Sequence, residues 1–262
     1  MATTDISYFS LVVGLLLLGI PLWFFYKFGA PLIKSTVTAA ARMVVQLFLI
    51  GLYLRYLFEW NSAAVNFAWV LVMVLVASFT AARRTRLRKR MIVIPLSVGL
   101  MATAVVVGMY FLVLVLRLAD PFDARYFIPI MGILMGNMLG VNVMALNTYY
   151  DGLQRDRQLY DYLLGNGATH VEAVTPFVRR AMEKAFAPAI ANMAVMGIVS
   201  LPGTMIGQIL GGSAPGIAIK YQMMIIVITV SASMLSLIIT LYLADRRSFD
   251  AYGRLLDVRT KA

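Results

Sequence analysis

Apolar residues in this chain come in long blocks. Seven stand out, near residues 8–28, 38–57, 64–82, 92–116, 127–147, 188–210 and 222–243. A helix needs about 20 such residues to cross the bilayer's hydrocarbon core, so each block predicts a transmembrane helix. The first, from Tyr8 to Phe28, has no charge before Lys27, and Asp5 is the only charge preceding it. Without a basic n-region it reads as a retained span and not as a signal peptide. The second block carries Arg42 and Gln46 one turn apart. They lie near its cytoplasmic end or face the bundle interior. The expected fold class is all-α: a polytopic transmembrane helical bundle of about seven spans, forming one domain over residues 1–262.

The segments between the blocks differ in charge. The N-terminus and the segments near 55–63, 117–126 and 211–221 hold Arg55, Arg117, Arg125 and Lys220 against Asp5, Glu59, Asp120 and Asp123. The remaining 19 Lys/Arg and 8 Asp/Glu fall on the other side, which therefore carries the whole net charge of +11. The positive-inside rule makes that side cytoplasmic, with the N-terminus outside and the C-terminus inside. The densest basic run is Arg83, Arg84, Arg86, Arg88, Lys89 and Arg90. Wedged between two spans, it reads as a topology anchor on anionic headgroups and not as a nucleic-acid patch.

Composition agrees. Hydrophobic residues make up 61% and charged residues 13%, where a soluble domain carries about 25% charged. Mean hydropathy is +0.83. The absence of cysteine excludes disulfides, thiolate metal sites and thiol nucleophiles.

A cytoplasmic helical insert is expected at about 149–187. Residues 151–164 read as an amphipathic helix with Leu153, Tyr160, Leu163 and Leu164 on one face. Gly165, Asn166 and Gly167 stop it. Thr169 and Glu172 have the spacing of a capping box and start the next helix. Pro176 either kinks that helix or opens a separate one capped by Thr175, and Pro188 marks the turn into the sixth span. Such a segment is longer than a connection requires and reads as a docking element for a soluble partner or as a surface connection.

No residue constellation resembles an active site. There is no His/Asp/Glu cluster, no intramembrane Ser–Lys or Asp–Asp pair and no phosphate-binding loop, so the chain is not expected to be an enzyme or to use ATP itself. His170, the sole histidine, reads as incidental. Candidate path residues lie in the fifth span, where Met131, Met135 and Met138 form a stripe continued by Asn142, with Asn137 nearby. Thioethers suit soft metals, and buried amides face a bundle interior or a watery cavity, although methionine stripes are also ordinary packing. Gly132, Gly136 and Gly140 have the spacing of close helix contact. The sixth block contains Pro202 and Gly203, followed by Gln208. That pair breaks backbone hydrogen bonding at membrane depth, so it reads as a fixed kink or as a gate.

The segment 201–212, LPGTMIGQILGG, with Pro215 and residues 218–222 after it, resembles the FetB-type permeases (also called YbbM) of ABC transporters. Ile128, Pro129 and Ile130, then Met135, Gly136 and Asn137, and the run 163–169, LLGNGAT, carry the same likeness. The resemblance covers nearly the whole chain. It implies a permease subunit of an iron or other metal exporter in the bacterial inner membrane, a homodimer served by a separate ABC ATPase. ATP and Mg would be bound by that ATPase, with no cofactor held by this chain and no nucleic acid involved. It implies ATPase coupling through Tyr160, Asp161, Leu163, Leu164, Gly165, Gly167 and Ala168. The usual Glu-Ala-Ala coupling motif of ABC permeases is absent, with Asp161 in the comparable region. No acidic residue lies inside an expected span, which leaves room for a chelate, an organic solute or a lipid-like molecule as substrate. A secondary transporter driven by an ion gradient is the other reading.

Overall fold

The computed structural model describes residues 7–250 and 252–259; Asp5, counted above with the outer charges, lies outside them. All regular elements among the described residues are helices, apart from isolated bridges. The first apolar block forms α1 (Tyr8–Leu16) and α2 (Gly19–Lys27). Next come α3 (Ile33–Trp60), α4 (Ala63–Thr85) and α5 (Lys89–Met109), the last continuing into a π-helical stretch, Tyr110–Val115. After α6 (Ala124–Arg155) the chain forms α7 (Arg157–Gly165), α8 (His170–Val195), α9 (Gly203–Leu210) and α10 (Pro215–Ser248).

Six of these stretches are long and apolar enough to cross a membrane: Tyr8–Lys27, Ile33–Trp60, Ala63–Thr85, Lys89–Val115, Ala124–Arg155 and Pro215–Ser248. The continuous span predicted over 188–210 is broken instead. α8 stops at Val195, Gly197 takes φ +85°, its amide bonds Ser200 O at 2.9 Å, and helix resumes only at Gly203. A positive φ suits glycine, which has no Cβ to clash, so the break starts at Gly197, ahead of Pro202.

Side-chain pairs fix helix directions. Asn142 meets Ser236, Tyr149 meets Asp245 and Tyr150 meets Ser248, so α6 and α10 run parallel. Two parallel helices joined in sequence need a return stroke between them. α8 begins beside the end of α10, at His170 and Asp245, and α9 runs back along the start of α10, from Thr204 beside Gln222 toward Gln208 beside Ser213. The return is thus made in two helical pieces. The end holding the 83–90 loop and α7 is called inner below.

Other boundaries also differ from the pattern. α6 spans 32 residues, about 48 Å at 1.5 Å rise, so residues 151–155 prolong the fifth span and the insert starts near Asp156. α8 passes through both Pro176 and Pro188 without ending, so Pro188 is no turn. The expected stop and cap are present. α7 ends at Gly165, Gly167 has φ +88°, and the Thr169/Glu172 capping box forms with both reciprocal bonds.

The core consists of two stacked clusters. The outer one joins α4, α5, the π-helical stretch and the first half of α6, and the inner one joins the second half of α6 to α8, α10 and the C-terminal segment. Close helix contact falls at different glycines from those the spacing indicated. A Cβ at Gly136 or Gly140 would meet nothing within 4 Å, whereas one at Gly99 would lie 2.4 Å from Thr240 Oγ1 and 3.0 Å from Ser236 O. Small residues on α5 therefore let α10 approach at backbone distance. The helices α1 to α3 contribute little to either cluster, Leu57 being the buried residue of α3.

Candidate functional site

The break between α8 and α9 opens the helical packing. A cleft of about 260 Å³ lies between α6, α8, α9 and α10, and its polar lining consists of Asn137, Asn192, Thr204, Gln222, Thr229 and Ser233. Met193 and Met196 complete the wall on the α8 side. A second cleft, about 580 Å³, opens toward the outer end and is lined by Arg125, Tyr126, Gln208, Ser213 and Tyr221 among others. Ile133, Thr204 and Ile225 line both clefts. The Thr204 hydroxyl donates to Gln222 Oε1, joining α9 to α10 at this common wall. Pro202 faces a third, apolar groove of about 660 Å³ with Met193, Met205, Met223 and Met224.

The candidate path residues divide accordingly. Asn137 lines the inner cleft, Gln208 the outer cleft and Pro202 the apolar groove, while Gly203 begins α9. Met131, Met135 and Met138 are buried in the outer core, Met131 reaching to Gly108. The methionine stripe lies on the face of α6 turned to α4 and α5. Asn142 is fully buried between α6 and α10, donating to Met138 O and Ser236 Oγ. Arg42 and Gln46 are exposed on α3 and apart from the inner cleft. Asn192, Thr229 and Ser233 carried no signal in one sequence, being single polar residues among apolar neighbours on two separate helices, whereas Thr204 and Gln222 lie in the segments that carry the family likeness.

At the inner end, a hydrogen-bonded chain connects the insert to the last helix. Tyr160 Oη lies 2.9 Å from His170 Nδ1 and donates to Gly253 O at 2.8 Å. His170 Nε2 lies 2.5 Å from Asp245 Oδ2, and Tyr149 donates to Asp245 Oδ1 at 2.7 Å. The Asp245 carboxylate only accepts, so His170 Nε2–H is the donor toward it. Phe249 packs against both the His170 and Tyr160 rings. Burial, aided by the Asp245, Asp161 and Asp250 carboxylates, pushes the Tyr160 phenol up to about 12. His170 is therefore a structural joint and not the incidental residue that a lone histidine suggested.

The candidate coupling residues have two orientations. Tyr160 is buried, and Leu163 and Leu164 pack against the inner core. They hold α7 against the inner core, with Leu163 and Leu164 only half-buried. Asp161, Gly165 and Gly167 are exposed, as is Tyr162, with Ala168 half-buried; Asp161 pairs with Arg157 at 3.5 Å. The C-terminal segment crosses this end. Arg88 of the basic loop pairs with Asp257, and Arg259 with Asp151.

A helical bundle with polar clefts among six long apolar helices defines a multi-pass membrane protein. The family model of UPF0014, described as an uncharacterised protein family, matches residues 8–249, and the chain belongs to that family. Escherichia coli strain K12 has a relative named probable iron export permease protein FetB, 29% identical over 261 residues, covering 100% of this chain and 99% of that protein. The UPF0014 membrane protein STAR2 of Oryza sativa subsp. japonica is 33% identical over 207 residues, 78% of this chain and 70% of its own. Protein ALUMINUM SENSITIVE 3 of Arabidopsis thaliana is 32% identical over 219 residues, 83% of this chain and 78% of its own. No solved structure matches the chain.

Proposed function

We propose that this chain is the transmembrane permease subunit of an ABC exporter for iron or another metal, acting as a homodimer in the bacterial inner membrane. A separate ATPase subunit would bind ATP and Mg and supply the energy. The full-length likeness to FetB supports the permease reading. The observation that carries the coupling is α8 itself. One unbroken 26-residue helix, about 39 Å long, starts beside α7 at His170 and ends in the cleft wall at Asn192 and Met193. A continuous helix with one end at the insert and the other at the cleft turns movement of α7 into movement of the cleft. An ATPase that contacts α7 differently in its two nucleotide states would shift the cleft between two forms.

The test uses the exposed part of α7. A Cβ at Gly165 would meet nothing within 4 Å, so Gly165→Arg alters the surface and leaves the fold intact. The variant is expected to fold normally, lose co-purification with the ATPase and lose transport-coupled ATP hydrolysis. Normal co-purification and normal coupled hydrolysis would remove α7 as the docking element.

A further inference from the structure

We propose that the outer cleft is a binding site for a small organic anion, an inference that rests on the permease reading above for its place at the mouth of the path. The donors lining it converge from different parts of the chain. Arg125 and Tyr126 stand at the start of α6, and Tyr221 lies on α10. Gln208 and Ser213 flank the turn at Gly211 and Gly212, where the Ser213 amide donates to Gln208 O at 3.0 Å, so one turn carries both side chains. Among the described residues, none of these side chains makes a hydrogen bond or an ion pair. Asp123, two positions before Arg125, accepts from the Arg125 amide at 3.0 Å to cap α6 and does not line the cleft.

Arg125 decides the sign of the ligand. Amides and hydroxyls both donate and accept, so they serve either charge. A guanidinium only donates and stays charged at neutral pH. No aspartate or glutamate lines the cleft to offset it, so a cation is repelled there and an anion is drawn in. A carboxylate matches the guanidinium fork with two parallel bonds, and the uncommitted amide and hydroxyl groups can donate to its remaining lone pairs. The rest of the wall is apolar, with Phe111, Pro129, Ile130 and Ile217. The volume of about 580 Å³ falls among small-molecule sites, roughly 300–1,000 Å³, so the fitting ligand is larger than an inorganic ion and carries an apolar part. Thr204 lines this cleft as well as the inner one, but its proton is spent on Gln222 Oε1. It adds no donor here and leaves the anion one side chain away from the inner cleft.

Binding of fluoronaphthoate, a carboxylate on an apolar body, to the full chain in phosphatidylcholine nanodiscs tests this, read by fluorine NMR against empty discs. The wild type is expected to bind it about tenfold more tightly than the neutral fluoronaphthamide. Arg125→Gln is expected to lose about tenfold in affinity for the acid and none for the amide. The Arg125 side chain is exposed, so this variant should keep its thermal unfolding temperature. Arg125→Lys, which keeps the charge and loses the fork, is expected to fall between. Equal affinity of the wild type for acid and amide, or unchanged affinity for the acid in Arg125→Gln, overturns the proposal. Displacement of fluoronaphthoate by phosphatidylglycerol added to the discs would assign the donors to a lipid headgroup and overturn it as well. ATP-driven transport by the complex, measured in parallel, separates the two readings. Transport with unaltered fluoronaphthoate binding in the variants rejects the anion site and keeps the permease. Binding that follows the variants, without transport, keeps the anion site and rejects the permease.

Discussion

His170 Nε2 and Asp245 Oδ2 lie 2.5 Å apart, joining the first residue of α8 to the last turns of α10 across 75 positions of sequence. The contact fixes the inner end of the proposed lever against the helix that forms most of the inner cleft's far wall. Hydrogen bonds to a charged group contribute about 1.5–3 kcal/mol. His170→Ala is therefore expected to lower thermal stability in detergent measurably, and to reduce coupled ATP hydrolysis more than it reduces ATPase binding. A variant with normal coupling would show that the joint only holds the fold.

The start of α8 is set separately by the capping box. Thr169 Oγ1 accepts from the Glu172 amide at 3.3 Å, and the Glu172 carboxylate accepts from the Thr169 amide at 2.7 Å. The Thr169 amide, and then its hydroxyl, hold the Glu172 carboxyl below its ordinary range. A depressed carboxyl pKa stabilises the fold above the unfolded value and ceases to do so as pH falls through the folded value. Thr169→Ala is expected to cost about 1 kcal/mol at neutral pH and less in acid, as measured by thermal unfolding against pH. An equal loss at all pH values would contradict the capping account.

The glycines of the bundle separate by what surrounds them. Gly99→Ala drives a methyl group against Thr240 and the Ser236 carbonyl, and overpacking of this kind costs about 1–3 kcal/mol. Gly136→Ala meets no atom of its own chain. Thermal unfolding of the two variants should show a clear loss for the first and little for the second. The reverse order would mean that α5 and α10 are not in contact at backbone distance.

Sequence pattern and structure agree where one element decides the outcome by itself. Five of the seven apolar blocks form single long helices, Gly167 ended α7, and Thr169 with Glu172 capped α8. They part where the answer depends on a distant partner. Nothing local distinguishes the packed face of α6, with Met131 and Met138, from its cleft face, with Asn137; the neighbours that settle it come from α5 and α10. The His170–Asp245 joint and the Thr204–Gln222 bond were hidden for the same reason. The break was legible at Pro202 and Gly203, yet it starts at Gly197, five residues before Pro202, because a glycine announces positive φ only when the surrounding chain turns there.

Thr204 and Gln222 form the bond at the wall common to both clefts. Thr204→Val removes the donor and keeps the shape. The expected result is a cleft less well closed toward the outer end, seen as faster labelling by a water-soluble thiol reagent of a cysteine placed at Asn192 in this cysteine-free chain. Equal labelling rates with and without Thr204→Val would show that the bond does not close the wall.

In the proposed function an ATPase drives metal through this permease. Its most direct measurement is uptake of Fe²⁺ into sealed proteoliposomes carrying the permease with its cognate ATPase, under anaerobic conditions, with ATP added outside. Complexes whose ATPase faces outward should accumulate iron only when both ATP and the ATPase are present, and Gly165→Arg should abolish it. Uptake that persists without ATP and follows an imposed ion gradient would contradict the account and make the chain a secondary transporter.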